Sequence, residues 1–218
     1  MLSMFLRLFL ALFPIVLVLF GSEYLWRKDI LRGEKIRKLV HIASGCWVAF
    51  WPWLLTYDQI AIIAIIAIAA QVVDRRLKIF HATFETKRFS LGDFSFPAGV
   101  LVTALIAGNQ WIFAIAILHI ALADGMAAVM GKLYGQSNHY KIFKGNKSVA
   151  GSLTFLFISY VLMGVAIMAL HVTEPSSVFA ILLLPPVLLG VENIAPFGLD
   201  NLAIPLIATV LLRLILAV

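Results

Sequence analysis

The sequence predicts an all-α integral membrane protein, a polytopic bundle of seven or eight transmembrane helices that forms one domain over residues 1–218. Of the 218 residues, 62% are hydrophobic and only 13% are charged, whereas soluble domains are about half apolar and about a quarter charged. The apolar residues come in long blocks and do not alternate as they do in an outer-membrane barrel. Only helices and closed barrels satisfy their backbone hydrogen bonds in lipid, so helices remain.

Eight apolar blocks mark the expected helices: 2–20, 39–55, 60–73, 94–107, 111–131, 149–171, 177–191 and 202–218. The third and fourth blocks are short for a span of about 20 residues, so these helices either extend into the flanking polar residues or insert only partly. The first block has one early basic residue, Arg7, but no small-x-small cleavage site follows it. We therefore interpret this block as a retained helix and not as a signal peptide.

Basic residues lie in alternate connections between the blocks. The first connection holds six, the third five and the fifth four, whereas residues 56–59, 108–110 and 172–176 hold none. The positive-inside rule then predicts an external N-terminus, with the basic loops and residues 192–201 in the cytosol. Topology and contact with anionic lipid headgroups account for the net charge of +6, so we expect no nucleic-acid partner. The lack of a transit peptide suggests the cytoplasmic membrane of a prokaryote.

Asp124 is the most informative residue, because it places a carboxylate inside the apolar block 111–131. Such a charge costs about 2.5–3.5 kcal/mol on insertion scales and usually marks a functional position. The alternative is an ion pair with a basic side chain that serves packing. Gly131 follows seven residues later, on nearly the same helix face. The small residues of this segment serve either close helix packing or the approach of a phosphate group.

A second group of polar residues surrounds the expected start of the sixth helix, and it comprises Lys144, Lys147, Ser148, Gly151 and Ser152. Ser148 has the residue type of a helix N-cap. The backbone N–H groups at that helix start, with the lysines beside them, would form an anion site. The segment is not a P-loop, because Asn146 stands where that motif has glycine. The alternative is an ordinary capped helix with interfacial lysines.

The second block begins with a polar face. Arg37, His41 and Ser44 follow the spacing i, i+4 and i+7, and Lys38 adjoins them. This face enters the membrane from the cytosolic side, where two cations and a histidine could order a phosphate or a lipid headgroup.

Three further acids lie at the predicted cytosolic ends of other blocks. Asp93 precedes the fourth block, and Glu192 and Asp200 lie on either side of Pro196 and Gly198. For Asp93 and Asp200, the alternative to a functional role is helix N-capping.

Five motifs follow one another in a fixed order over about residues 35–210. They are Arg-Lys-x-x-His at 37–41, Gly-Asp-x-x-Phe-Pro at 92–97, Ala-Asp-Gly-x-Ala-x-x-x-Gly-x-x-x-Gly at 123–135, Lys-Ser-x-x-Gly-Ser at 147–152 and Asp-Asn-x-x-x-Pro at 200–205. Together they resemble the polyprenol and diacylglycerol kinase family, which includes dolichol, phytol and farnesol kinases and belongs to the CTP-transferase superfamily. The resemblance implies Mg²⁺-dependent transfer of the γ-phosphate of a nucleoside triphosphate, typically CTP, to the hydroxyl of a lipid alcohol in the membrane.

The resemblance also assigns roles to residues. The activity-linked positions of the family fall on Arg37, Lys38, Asp124 and Gly131. Lys38 and Asp124 are the expected catalytic residues, with Asp93 as a further candidate, and the expected Mg²⁺ ligands are Asp124, Glu192 and Asp200. The predicted nucleotide-binding residues are Arg37, Lys38, His41, Gly131, Lys132, Lys144, Lys147, Ser148, Gly151 and Ser152.

Two other functions compete with a kinase. A cytidylyltransferase that makes a CDP-lipid would use the same nucleotide but attack its α-phosphorus. The Pro-Gly-His-Gly-Gly signature associated with phosphatidate cytidylyltransferases has no counterpart in this chain. A transporter also carries charge at membrane depth, but the sequence has no inverted repeat and its polar residues gather at one membrane face only. We therefore expect the kinase.

Overall fold

The computed structural model describes residues 3–77, 91–142 and 145–217, except for the side chain of Asp93. The helices of these residues, numbered in chain order, are α1 (Met4–Arg27), α2 (Glu34–Val48), α3 (Tyr57–Leu77), α4 (Gly92–Ile106), α5 (Gln110–Leu118), α6 (Gly125–Tyr134), α7 (Val149–Ala169), α8 (Pro175–Leu182), α9 (Leu184–Ile194) and α10 (Asp200–Leu216). A π-helical turn, His119–Asp124, joins α5 to α6. The all-α fold class is therefore confirmed.

Each predicted apolar block contains a helix, and the differences lie at the ends. Helix α1 continues beyond the predicted residue 20 to Arg27. Helix α3 takes in flanking polar residues and reaches 21 residues, one of the two outcomes expected for a short block. The seventh block is divided at Leu183 into α8 and α9, where proline in the first turn begins a new helix.

Four helical segments of the described chain are long and apolar enough to cross a membrane by length and composition. They are Met4–Arg27, Gln110–Tyr134, Val149–Ala169 and Pro175–Ile194, and Phe94–Ile106 is a shorter apolar helix. The protein is thus an integral membrane helical bundle. The count of seven or eight spans remains a prediction.

A small β-hairpin precedes α7, and the sequence analysis did not predict it. Strands β1 (His139–Ile142) and β2 (Gly145–Ser148) pair antiparallel, with Tyr140 opposite Lys147 and Lys141 opposite Asn146. The connection between α6 and α7, residues 135–148, is mostly polar. Its backbone groups therefore pair with each other, as backbone groups outside helices must find partners.

The core is centred on α5 and the π turn. Residues 112–117 of α5 are all buried. In the segment Gln110–Tyr134, 72% of the most apolar 18-residue stretch lies inside the protein. The π turn packs against α2, α7 and α10, so residues at its end lie where several helices meet. By contrast, only 6% of the most apolar 18-residue stretch of α1 is buried. Helix α1 rests mainly on α2 at the periphery.

Two indole groups attach α1 to the bundle. The Nε1 atoms of Trp47 and Trp51 both donate to the carbonyl oxygen of Ala11, at 2.9 and 3.2 Å. Pro14 lies three residues further along α1 and, lacking an N–H group, interrupts the hydrogen bonding of this turn. The proline leaves the carbonyl of Leu10 without its helical donor, and the indoles bind the neighbouring carbonyl of Ala11.

Glycines allow α6 and α7 to approach closely. A Cβ atom on Gly131 would lie 2.8 Å from Oγ of Ser148, and one on Gly151 would lie 3.0 Å from the carbonyl oxygen of Ala127. Real Cβ atoms essentially never come within 3.0 Å of such atoms, so packing alone requires glycine at position 131. The geometry supports close helix packing, and the approach of a phosphate group to these glycines stays a prediction.

Candidate active site

A buried ion pair joins α2 to the end of the π turn. Nζ of Lys38 donates to Oδ2 of Asp124 over 2.8 Å. The two side chains are only 11% and 9% exposed. The predicted basic partner of Asp124 therefore exists, and it is one of the residues that the family resemblance links to activity. The pair compensates the burial of both charges, since either charge alone would be strongly unfavourable there.

His41 stabilises the π turn beside this pair. Its Nε2 atom donates to the carbonyl oxygen of Ile120 over 2.9 Å and lies 3.9 Å from Oδ2 of Asp124. A π turn closes i→i+5 hydrogen bonds and leaves some carbonyls without their usual helical partner. His41 supplies a side-chain donor to a carbonyl of this turn, and its ring packs edge-on against Phe96 at 5.0 Å. Since a carbonyl oxygen only accepts, Nε2 must carry the hydrogen.

A second, partly buried ion pair joins the hairpin to α9. Nζ of Lys147 contacts the carboxylate of Glu192 and also donates to the carbonyl oxygen of Glu192 over 3.1 Å. That carbonyl is in the last turn of α9, where backbone acceptors have no partner within the helix. A cation at this position is also favourable for the helix dipole. Lys147 therefore stabilises the end of α9 as well as neutralising Glu192.

The two ion pairs belong to one electrostatic cluster. The charges of Lys38 and Lys147 act on Asp124, on Glu192 and on Asp200, and the charge of Asp124 acts on both other acids. We call these five residues the charged cluster. With three acids and two lysines, its formal charge is −1 when all five groups are ionised. The structure thus brings together Lys38, Asp124, Lys147, Glu192 and Asp200 from five separate elements.

Asp200 does not cap α10, contrary to one interpretation of the sequence. Leu199 occupies the N-cap position, and Asp200 begins the helix with Oδ1 accepting the N–H of Asn201 over 2.9 Å. Asp93 likewise lies inside the first turn of α4, after the N-cap residue Leu91. Its side chain and all of Lys144 fall outside the described residues, so the roles predicted for them remain predictions.

Ser148 is the N-cap of α7, as predicted. Its Oγ accepts the N–H of Gly151 over 3.1 Å, and the N–H of Val149 donates to the carbonyl of Asn138 over 3.0 Å. Two of the first three N–H groups of α7 therefore have internal partners, and only that of Ala150 remains for a ligand. The helix start is thus less open to an anion than the sequence predicts, because the preceding connection folds back onto it.

Two of the predicted nucleotide-binding cations lie outside the charged cluster. Arg37 bonds the carboxylate of Glu34 at 2.5 and 3.1 Å, and its charge acts on His41. Lys132 is exposed in the last turn of α6. These residues lie towards the surface, where they are accessible to a charged ligand.

The predicted metal ligands share a region but do not form a preassembled three-ligand site. Across residues 3–77, 91–142 and 145–217, no group of three or more His, Cys, Asp or Glu side chains is arranged to hold a metal ion. Asp124 and Glu192 each have a lysine partner instead.

Sequence reasoning missed two polar residues beside the cluster. The hydroxyl of Tyr140 contacts Oγ of Ser152 and donates to Oδ1 of Asn193 over 3.3 Å. Asn193 directly follows Glu192 in the sequence, and this adjacency could have identified it as a candidate site residue. Tyr140 could not be found without the hairpin, since it approaches α7 and α9 only because β1 pairs with β2.

All five sequence motifs meet at this end of the bundle. Nδ2 of Asn201 donates to the carbonyl of Gly92 over 3.3 Å, which places the start of α10 beside the start of α4. A Cβ atom on Gly45 would lie 2.6 Å from that of Ala121, so α2 and the π turn are in tight contact. The motifs were recognised by their order along the chain, and the fold now gives them a common location.

The fold and the site define an integral membrane protein whose ion-paired acids and lysines are buried at one end of a helical bundle. The chain is 31% identical to a phytol kinase of the cyanobacterium Synechocystis over 196 residues, which cover 87% of this chain and 82% of that protein. It therefore belongs to the phytol kinase family of membrane lipid kinases. No protein-family model matches the chain, and no solved structure does.

Proposed function

We propose that the protein transfers the γ-phosphate of CTP to the hydroxyl of an isoprenoid alcohol at the cytosolic face of its membrane. The observation that carries this proposal is the buried pair of Lys38 and Asp124 within the charged cluster. An isoprenoid acceptor is favoured over diacylglycerol because the relative at 31% identity is a phytol kinase. CTP as the donor rests on the motif resemblance, and the cytosolic face rests on the placement of the basic loops.

Phosphoryl transfer needs positioned reactants and stabilisation of negative charge more than covalent chemistry from the protein. In the proposed reaction, the oxygen of the lipid hydroxyl forms a bond with the γ-phosphorus, the bond between that phosphorus and the β–γ bridging oxygen breaks, and CDP leaves. The hydroxyl proton goes to the carboxylate of Asp124. Lys38 keeps this carboxylate ionised and correctly oriented until the hydroxyl arrives.

The donor set of the cluster fits Mg²⁺. Mg²⁺ prefers oxygen ligands and binds nucleotide sites through one or two carboxylates together with phosphate oxygens and water. Among the described residues Asp200 forms no ion pair within 4 Å, and it is partly buried whereas Asp124 and Glu192 are buried. Asp200 would hold the ion together with phosphate oxygens and water, which leaves Asp124 as the base, and the bound ion would neutralise charge on the transferred phosphoryl group.

The experiment that tests this function uses purified protein in detergent with phytol, farnesol or diacylglycerol and with CTP labelled at either the α- or the γ-phosphorus. Kinase activity predicts label in the lipid from the γ-position only, and more with the isoprenoid alcohols than with diacylglycerol. Label from the α-position would instead identify a cytidylyltransferase, and absence of lipid label from both would contradict both enzymes. Parallel reactions with ATP and GTP test the nucleotide, and reactions with EDTA test the need for Mg²⁺.

A further inference from the structure

The inner face of the β-hairpin carries two polar residues, Lys147 and Tyr140, and Tyr140 lies outside all five motifs. Tyr140 and Lys147 are directly opposite each other in the pairing of β1 with β2. Side chains of directly opposed residues point to the same side of a sheet. Both are partly buried, whereas Lys141 and Asn146, the next opposed pair, are exposed on the other face. The hairpin thus has an inner side facing the bundle and an outer side facing solvent.

The side chains of Tyr140 and Lys147 both contact the same turn of α9. Lys147 contacts Glu192, and the hydroxyl of Tyr140 donates to Oδ1 of the next residue, Asn193. This bond uses the only hydroxyl hydrogen of Tyr140, so in its contact with Ser152 the serine is the donor. The result is a chain of hydrogen bonds from Ser152 of α7 through Tyr140 to Asn193 of α9.

We infer that Tyr140 is a positioning residue of the nucleotide site, whose hydroxyl fixes the hairpin to α7 and α9 and thereby holds Lys147 in the charged cluster. The inference rests on the proposed function and assigns a role to a residue outside its motifs. A lysine side chain has many rotamers, and holding one of them costs entropy. The hairpin is short, and a two-stranded hairpin is only marginally stable in water by itself. The tyrosine hydroxyl supplies an anchor that the strand pairing lacks.

The variant that tests this inference is Tyr140→Phe, which removes only the hydroxyl. Tyr134→Phe is the matched control, because Tyr134 is 65% exposed on α6. We expect Tyr140→Phe to raise KM for the nucleotide about two- to tenfold, the range for loss of one hydrogen bond, while KM for the lipid alcohol stays unchanged. In a Lys147→Ala background the same substitution should have no further effect on nucleotide KM, because it acts through Lys147. An additive effect, or equal changes in both KM values, would overturn the inference.

A measurement without turnover separates this inference from the proposed function. Hydrogen–deuterium exchange followed by mass spectrometry reports the opening of the hairpin amides directly. Tyr140→Phe should speed exchange within residues 139–142 and 145–148 by about two- to tenfold, with no change in α5 and none in the Tyr134→Phe control. Unchanged hairpin exchange would refute the anchoring role even if the enzyme proved active. Faster exchange in a protein that labels no lipid would support the anchor and reject the kinase proposal.

Discussion

Lys38 and Asp124 are 86 residues apart in the chain, yet their charged groups meet at 2.8 Å in the interior of the bundle. Each charge makes the burial of the other possible. The sequence offered a catalytic carboxylate and a structural ion pair as alternatives for Asp124. The geometry shows the ion pair, and the catalytic role stays a prediction, which rests on the family resemblance of both residues.

This pairing determines what substitution of Asp124 should do. Asp124→Asn removes the carboxylate and leaves Lys38 as a buried charge without its counter-ion, which typically costs about 3–5 kcal/mol. We expect loss of lipid phosphorylation together with a lower melting temperature in detergent. The double variant Lys38→Met/Asp124→Leu removes both charges, so it should regain most of the melting temperature and none of the activity. An active Asp124→Asn protein would eliminate the catalytic assignment.

Lys147 should contribute to nucleotide affinity. We expect Lys147→Ala to weaken CTP binding at least about tenfold, as expected for a hydrogen bond to a charged group, and lipid binding much less. Lys141→Ala is the control, since Lys141 is on the exposed face of the same hairpin. Equilibrium binding of labelled CTP measures the effect. If affinity is unchanged, the role of Lys147 is confined to neutralising Glu192 and ending α9.

The contact between α6 and α7 should tolerate no side chain at position 131. Gly131→Ala places a methyl group where only 2.8 Å separates it from Oγ of Ser148, so the helices must move apart and stability should fall by about 1–3 kcal/mol. Gly164→Ala in α7 is the matched control, because its Cβ meets nothing within 4 Å. Thermal unfolding of both variants in one detergent distinguishes them, and equal melting temperatures would contradict the close-packing interpretation.

The attachment of α1 can be tested away from the charged cluster. Trp47→Phe removes an indole donor from the carbonyl of Ala11 and should destabilise the protein by about 1 kcal/mol or somewhat more. Trp53→Phe is the comparison, since Trp53 is 41% exposed. We expect a lower melting temperature only for Trp47→Phe, with kinase parameters unchanged in both. A change in nucleotide affinity would show that α1 influences the site.

Orientation in the membrane is a separate prediction. Cys46 is the only cysteine, so a Cys46→Ala background permits single-cysteine labelling. A cysteine at Lys141 should react with a membrane-impermeant maleimide only after the cytosolic side is opened, and one at Thr173 should react in intact cells. Labelling of both positions from the same side would refute the positive-inside assignment.

The helices and the site could be predicted to different extents. Eight apolar blocks predict eight helical regions because length and hydropathy act locally. The residues of the charged cluster could be expected only as separate polar residues on one membrane face. The pairing of Lys38 with Asp124 depends on the packing of α2 against the π turn, and that of Lys147 with Glu192 depends on the packing of the hairpin against α9. No local pattern encodes either contact.

Other features could not be predicted for definite physical reasons. The π turn differs from an α-helix by its i→i+5 bonds, and its residues His119–Asp124 have no propensity that distinguishes the two. The two strands of the hairpin have only four residues each, too few for a clear alternating pattern in the sequence. The capping roles considered for Asp93 and Asp200 were wrong because Leu91 and Leu199, each with an αR backbone, begin these helices without a side-chain cap.

The π turn also has a genetic consequence. A turn closed by i→i+5 bonds holds one more residue than an α-helical turn, so α5 and α6 are rotated relative to a continuous α-helix. Deleting a single codon, for example that of Ala121, would let the segment close as a regular helix. Because the deletion removes the extra residue of the wide turn, Asp124 and Gly131 would keep nearly their present direction relative to α5. A one-residue gap between His119 and Asp124 in a relative should therefore leave its carboxylate–lysine pair in place, whereas closing a regular helix with all six residues kept would turn Asp124 by about 100°, one residue's rotation at 3.6 residues per turn.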